Sequence, residues 1–140
     1  MVDIVTTKYS PLPGVTSSII LVPLIPVTLI YGIREFSGLA LVDSGATGGL
    51  ISTVIAEDLG IEWDNIPVRY GGCIGGLFRF RPIENLKVEI YGHTFQLRLA
   101  IGEGLSPYKF VLGQADLFHQ AKITFEEYKK QFTIEFRKLN

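Results

Sequence analysis

Cysteine and histidine are almost missing from this 140-residue chain, which holds one of the first and two of the second. A lone Cys73 excludes an internal disulfide and fits a reducing compartment. With only His93 and His119 beside it, and far apart in sequence, no zinc pattern forms, and neither a metal nor another cofactor is expected. The same scarcity argues against a cysteine nucleophile, since no motif links Cys73 to a histidine base. His93 reads as a turn residue and His119 as an exposed helix residue. Charge is scarce as well. Charged residues make up 19% of the chain, and 13 basic against 14 acidic side chains leave a net charge of −1. That balance provides no electrostatic footprint for nucleic acid or an anionic membrane surface. No long uninterrupted apolar run occurs either. The most apolar stretch, residues 19–31, is shorter than the ~20 residues a membrane-spanning helix needs, and it contains Pro23 and Pro26. No basic-then-apolar leader opens the chain, whose first charge is Asp3. The expectation is a soluble, unprocessed, cytoplasmic protein.

What is present is enough for one domain. Apolar residues reach 47%, well above the disordered range. A chain of this length buries roughly 68–70% of its unfolded surface. Residues 17–140 read as a single domain, preceded by an arm of unknown role at 1–16. Proline and glycine punctuate the sequence while β-branched and aromatic residues fill the intervals, which predicts an all-β fold of short strands. Strand material is expected at 19–21 and 27–33, with the prolines at an edge, bend or bulge. A turn is expected at 32–38 and a buried strand at 39–42. Residues 52–60 change period. Ser52 can cap a helix, Gly60 can terminate it in the left-handed region, and Ile51, Ile55 and Leu59 recur every fourth residue on one face. Extended segments at 68–70 and 77–81 flank Gly71-Gly72-Cys73-Ile74-Gly75-Gly76, a glycine-rich hairpin tip. Strands at 86–90 and 94–101 follow around the turn Tyr91-Gly92-His93. A buried strand at 110–112, a short helix at about 115–120 and a hairpin of 123–125 with 131–136 complete the pattern.

The chemistry concentrates at Asp43-Ser44-Gly45, the one such triplet in the chain. It follows the apolar run Leu39-Ala40-Leu41-Val42, so a carboxylate is delivered to a tight turn at the end of a rigid element, and Gly45 permits close approach of another backbone. An aspartate before glycine commonly does no more than make a turn. Three further features add weight: a second apolar element, Val111-Leu112-Gly113, the glycine-rich hairpin between the two, and a length too short for two lobes that each carry an aspartate.

Together these features resemble the retropepsin-like aspartic proteases, the single-domain family that includes the retroviral enzymes. The resemblance rests on Leu41-Val42-Asp43-Ser44-Gly45-Ala46-Thr47, the flap-like Gly72-Cys73-Ile74-Gly75-Gly76, the turn Ile90-Tyr91-Gly92-His93, and Val111-Leu112-Gly113. It implies a closed β-barrel with a flap hairpin and one or two short helices, assembled as a homodimer. Asp43 and its mate would then face each other across the two-fold axis. Two adjacent carboxylates cannot both ionise cheaply, so such a pair holds one proton. The ionised member draws a proton from water, and the protonated member hydrogen-bonds the peptide carbonyl. The resemblance assigns Ser44 a bond across the dimer. It assigns Gly45 and Ala46 the border of the substrate backbone, and Gly72, Cys73, Ile74, Gly75 and Gly76 the flap over an extended polypeptide. Leu41, Ala46, Ile74, Tyr108, Phe110 and Val111 become candidate pocket walls or, equally, core.

Two departures from the retroviral pattern stand out. Retroviral members brace the site with an acid just past the alanine and an arginine after the second glycine. Thr47 and Gln114 stand there instead, which leaves a neutral hydrogen bond in place of an ion pair. The chain also continues past Phe125 into a further hairpin, as in cellular and prokaryotic members. The competing reading is a dimer of the same fold, inactive or very weakly active, that binds peptides or mediates assembly.

Overall fold

A computed structural model describes residues 3–12, 20–73, 76–104 and 109–137. The first half contains β1 (Ile4–Lys8), β2 (Ser10–Pro11), β3 (Leu21–Val22), β4 (Leu24–Tyr31), β5 (Arg34–Val42), β6 (Leu50–Ile51) and helix α1 (Thr53–Asp58). The second contains β7 (Arg69–Cys73), β8 (Gly76–Pro82), β9 (Leu86–Ile90), β10 (His93–Leu97), β11 (Ala100–Gly102), β12 (Phe110–Leu112), helix α2 (Leu117–Gln120), β13 (Ala121–Glu126) and β14 (Gln131–Phe136). The chain is mostly β, with few and short helices. One nine-stranded sheet has the order β10-β9-β4-β5-β12-β6-β11-β8-β7; β1-β14-β13 form a three-stranded sheet, and β2-β3 a two-stranded one. Among the described residues no ladder joins β10 to β7, so the strand pairing alone does not close the large sheet into a barrel.

Alternation explains the strands. In β9, Leu86, Val88 and Ile90 are buried while Lys87 and Glu89 face out, the period-2 pattern of a half-buried strand. Most of the apolar stretch measured above against a bilayer, residues 24–31, becomes β4, which sits inside the large sheet between β9 and β5. Pro26 pairs opposite Leu39, whereas β9 pairs only with Thr28, Leu29 and Ile30. The missing N–H of Pro26 therefore breaks no ladder on that side. Helix α1 follows its local signals. The Ser52 hydroxyl accepts the Ile55 N–H at 3.3 Å, Ile51, Ile55 and Leu59 are all buried, and Gly60 has φ +72°.

Three expectations are corrected. The segment 32–38 is not a wide turn: β5 starts at Arg34, and only Gly32 and Ile33 turn the chain. Gly38, which suggested a loop, instead lies beneath the Phe36 ring, 2.8 Å from where a Cβ would stand. His93 is not in the turn. Tyr91 and Gly92 make it, both with positive φ, and His93 opens β10, its ring stacked on Phe136 at 4.0 Å between centroids. Helix α2 starts two residues later than expected, for a reason that emerges at the site below.

The N-terminal strand is paired along its length. Register runs from Ile4 opposite Glu135 to Lys8 opposite Gln131, and the Tyr9 N–H donates to the Lys130 carbonyl at 2.8 Å. One hydrophobic cluster joins both larger sheets and the two helices, from Ile25, Leu29 and Val88 to Leu59, Leu117, Phe132 and Ile134. Among the described residues no helix is long and apolar enough to cross a membrane.

Phe132 is fully buried, its ring 5.9 Å from that of Tyr9 and 6.1 Å from that of Phe125. Truncation there leaves a cavity under β14, so Phe132→Ala is expected to lower stability by about 3–5 kcal/mol, read by urea unfolding.

Candidate active site

Strand β5 ends where its neighbour β12 ends. The two run parallel, with Val111 opposite Leu41 and Leu112 opposite Val42. Ala40, Val42, Phe110 and Leu112 are buried, so apolar packing fixes both strands to their last residue. The ladder continues one step into the loop, where the Asp43 N–H donates to the Leu112 carbonyl at 3.0 Å. The turn then closes on itself. The Gly45 N–H donates to Asp43 Oδ1 at 2.9 Å, and the Ala46 N–H donates to the Asp43 carbonyl at 3.2 Å. An aspartate that bonds the backbone two residues on makes a rigid local turn. Asp43 is half-buried, and Ser44, Gly45 and Thr47 are exposed. The carboxylate is thus held by the backbone at an open sheet end.

The segment after β12 is stitched to this loop. The Gln114 N–H donates to the Ala46 carbonyl and the Ala115 N–H to the Thr47 carbonyl, both at 2.9 Å. The Gln114 side chain adds a third bond, Nε2 donating to the Ser44 carbonyl at 2.7 Å. The neutral Gln114 amide thus reaches a backbone carbonyl of the Asp43 loop. Gly113 is required by contact rather than by backbone conformation: a Cβ there would lie 2.6 Å from the Ala46 carbonyl oxygen.

Behind this pair of turns lies a group that the sequence did not single out. Asp116 is wholly buried. Its Oδ2 accepts the Gly113 N–H at 3.2 Å, and the Gly49 N–H is a second donor to the carboxyl. Oδ1 is buried with no hydrogen-bond partner. Burial pushes the carboxyl up from 3.8 to about 6, opposed in part by the Gly113 and Gly49 donors and by the charge of His119. An aspartate three residues past a loop glycine and just before a helix reads as a capping residue. Here it stands at the N-cap of α2 yet makes no side-chain cap bond, because the carboxyl turns inward. That turn delays the helix to Leu117. A weak signal was available in Gly48-Gly49: Gly49 leaves the room that Asp116 fills, its would-be Cβ standing 2.5 Å from Asp116 Oδ2 and against the Leu99 side chain.

Of the residues singled out from sequence, Asp43, Ser44, Gly45, Ala46 and Val111 come together. Val111 is buried between Leu41 of β5 and Leu50 of β6, and Phe110 is core. Gly72, Cys73 and Gly76 belong to the β7–β8 hairpin, with Gly72 opposite Leu77 and Cys73 opposite Gly76. This hairpin lies at the edge of the large sheet, with β12, β6 and β11 between β5 and β8. Ile74, Gly75 and Tyr108 fall outside the described residues. The base of the hairpin is anchored by Arg81, whose Nη1 donates to the carbonyls of Trp63, Asp64 and Ile66 at 3.3, 3.0 and 2.7 Å. Among the described residues no group of three or more His, Cys, Asp or Glu side chains is placed to hold a metal ion.

No family model and no curated protein sequence matches this chain. Among solved structures it is similar to a retropepsin-like aspartic protease from Rickettsia conorii, with a TM-score of 0.65 over 95% of this chain and 99% of that one. The fold is retropepsin-like. At 17% identity the likeness extends to architecture and no further. What this chain contributes is the loop geometry at the carboxyl ends of β5 and β12.

The contact at Gly113 is testable against a neighbour. A Cβ at Gly48 would meet nothing within 4 Å. Gly113→Ala is expected to lose about 1–3 kcal/mol by displacing the Ala46 backbone, while Gly48→Ala stays within about 0.5 kcal/mol of the parent. Chemical denaturation of the two variants side by side checks the contrast.

Proposed function

We propose that the protein is an aspartic endopeptidase, active as a homodimer in which two Asp43 carboxylates share one proton and activate a water molecule. The observation that carries this reading is the parallel docking of β5 on β12, with the Asp43 N–H on the Leu112 carbonyl. It presents one backbone-held carboxylate at an exposed loop, as half of a symmetric site requires. In the dimer, the ionised member of the pair takes a proton from the bound water, whose oxygen attacks the peptide carbonyl. The protonated member donates a hydrogen bond to the carbonyl oxygen as negative charge develops on it. The Gly45 N–H on Oδ1 holds the carboxylate orientation throughout. Ser44, at the exposed tip, bonds its counterpart loop across the two-fold axis. Gly45 and Ala46 border an extended polypeptide, and the β7–β8 hairpin closes over it as a flap, adding backbone hydrogen bonds and excluding water. The substrate is a peptide with apolar residues around the scissile bond.

The test is cleavage of an unfolded protein substrate across pH ~4–7, the range of a shared-proton carboxylate pair. Parent and Asp43→Asn are compared at several enzyme concentrations. Asp43→Asn is expected to lose at least about a thousandfold in kcat/KM, since acid, base and electrostatic contributions vanish together. Parent activity should rise more steeply than linearly with concentration while dimer is scarce. Equal cleavage by both proteins rejects the assignment of Asp43. No cleavage by a folded parent dimer transfers the case to a peptide-binding module.

A further inference from the structure

We propose that Asp116 is the positioning residue of the Asp43 loop: its buried carboxyl holds the Gly113 and Gly49 N–H groups and, through Gly113, sets where Ala46, Ser44 and Asp43 sit. Its consequence for catalysis rests on the protease reading; its consequence for the loop does not.

The linkage is short and continuous. Asp116 Oδ2 accepts the Gly113 N–H, and Gly113 lies against the Ala46 backbone with no room for a methyl group. The residues on either side of Gly113 hold the loop directly, Leu112 at the Asp43 N–H and Gln114 at the Ala46 and Ser44 carbonyls. The other N–H group held by Asp116 is that of Gly49, which leads into β6. One carboxyl therefore ties both strands that flank the site to a common point.

The same carboxyl is poorly built to carry charge. Oδ1 is buried without a partner, and a buried polar atom left unpaired is costly, most of all when ionised. Gly49 and Gly113, which bond it, and Leu99 and Val111, which meet it around the Gly49 Cα, are uncharged. His119, exposed on α2, favours the anion through space but does not outweigh burial. Folding raises the pKa from 3.8 to about 6, so the folded chain holds this proton more tightly than the unfolded chain. The advantage is complete below the unfolded value and is lost as the pH rises through the folded one, about a hundredfold in the folding equilibrium. As the pH passes 6 the carboxyl takes on a charge that Oδ1 leaves unpaired, and the site must readjust around it even though the Gly113 and Gly49 N–H groups bond the anion more strongly than the acid.

The experiment follows the Asp116 side-chain carboxyl carbon and the backbone amides of Asp43, Gly45, Ala46 and Gln114 by NMR from pH 4 to 8. Full-length parent, Asp116→Asn and Asp43→Asn are compared. In the parent, the Asp116 carbon and the four loop amides are expected to titrate together with a midpoint near 6. The amide midpoint vanishes in Asp116→Asn and persists in Asp43→Asn. Asparagine keeps an acceptor for Gly113 and does not ionise, so in urea unfolding Asp116→Asn should gain on the parent from pH 4.5 to pH 7.5, whereas Asp116→Ala falls below the parent at pH 4.5. An Asp116 midpoint below about 4.5 in the parent overturns the proposal without recourse to any variant. So does a loop titration that survives in Asp116→Asn or disappears in Asp43→Asn. Absence of cleavage with the loop titration intact rejects the protease reading and leaves the role of Asp116 standing.

Discussion

Everything at the candidate site depends on the parallel docking of β12 against β5. Ser44 and Gln114, which lie 70 residues apart in sequence, bond directly. Closing so long a loop is entropically unfavourable, and the return comes from burying Ala40, Val42, Phe110 and Leu112. Once those side chains pack, the ends of both strands are fixed, and the backbone groups beyond them have no choice of partner. The Asp43 N–H finds the Leu112 carbonyl, and the carbonyls of Ala46 and Thr47 find the N–H groups of Gln114 and Ala115. Packing in the sheet thus becomes angular precision in a loop, and a half-buried carboxylate is held in place by backbone.

The glycines on this route mark where backbone replaces side chain. At Gly113 a methyl group would strike the Ala46 carbonyl, and at Gly49 it would strike Asp116 and Leu99. Gly45 bonds Asp43 with its own N–H. At these two positions the turns and the buried acid leave no room for an extra carbon, which is why the loops interlock rather than merely adjoin.

The residues that announced themselves in the sequence are those whose roles are local. Ser52, Ile55, Leu59 and Gly60 spell out a capped helix because every relevant partner lies within one turn. Asp43-Ser44-Gly45 after an apolar run spells out a carboxylate-bearing turn for the same reason. Residues 34–38 misled because Arg34, Glu35, Ser37 and Gly38 carry loop chemistry, yet pairing with β4 holds them in a strand whose polar residues face water. The pairing of β1 with β14 joins opposite ends of the chain, and no local pattern encodes it. Asp116 stayed hidden because its local signal, an acid at the start of a helix, is overridden by a cavity that Gly49 opens from a distant segment.

The electrostatics of the paired loops follow from these placements. In residues 43–49 and 111–116 the side chains that can bear charge are Asp43 and Asp116. Gln114 braces the exposed side with a neutral amide, and burial keeps Asp116 protonated until the pH nears 6. Below that pH Asp116 adds no charge to the loops. A cationic brace would favour ionisation of any nearby carboxylate, and a second anion would oppose it. Among the side chains of these two segments neither is present, and the group bonded to the Asp43 carboxyl is the Gly45 N–H. The same economy makes the arrangement sensitive from behind. Ionised Asp116 would place a second negative charge beneath Gly113, with Oδ1 unpaired.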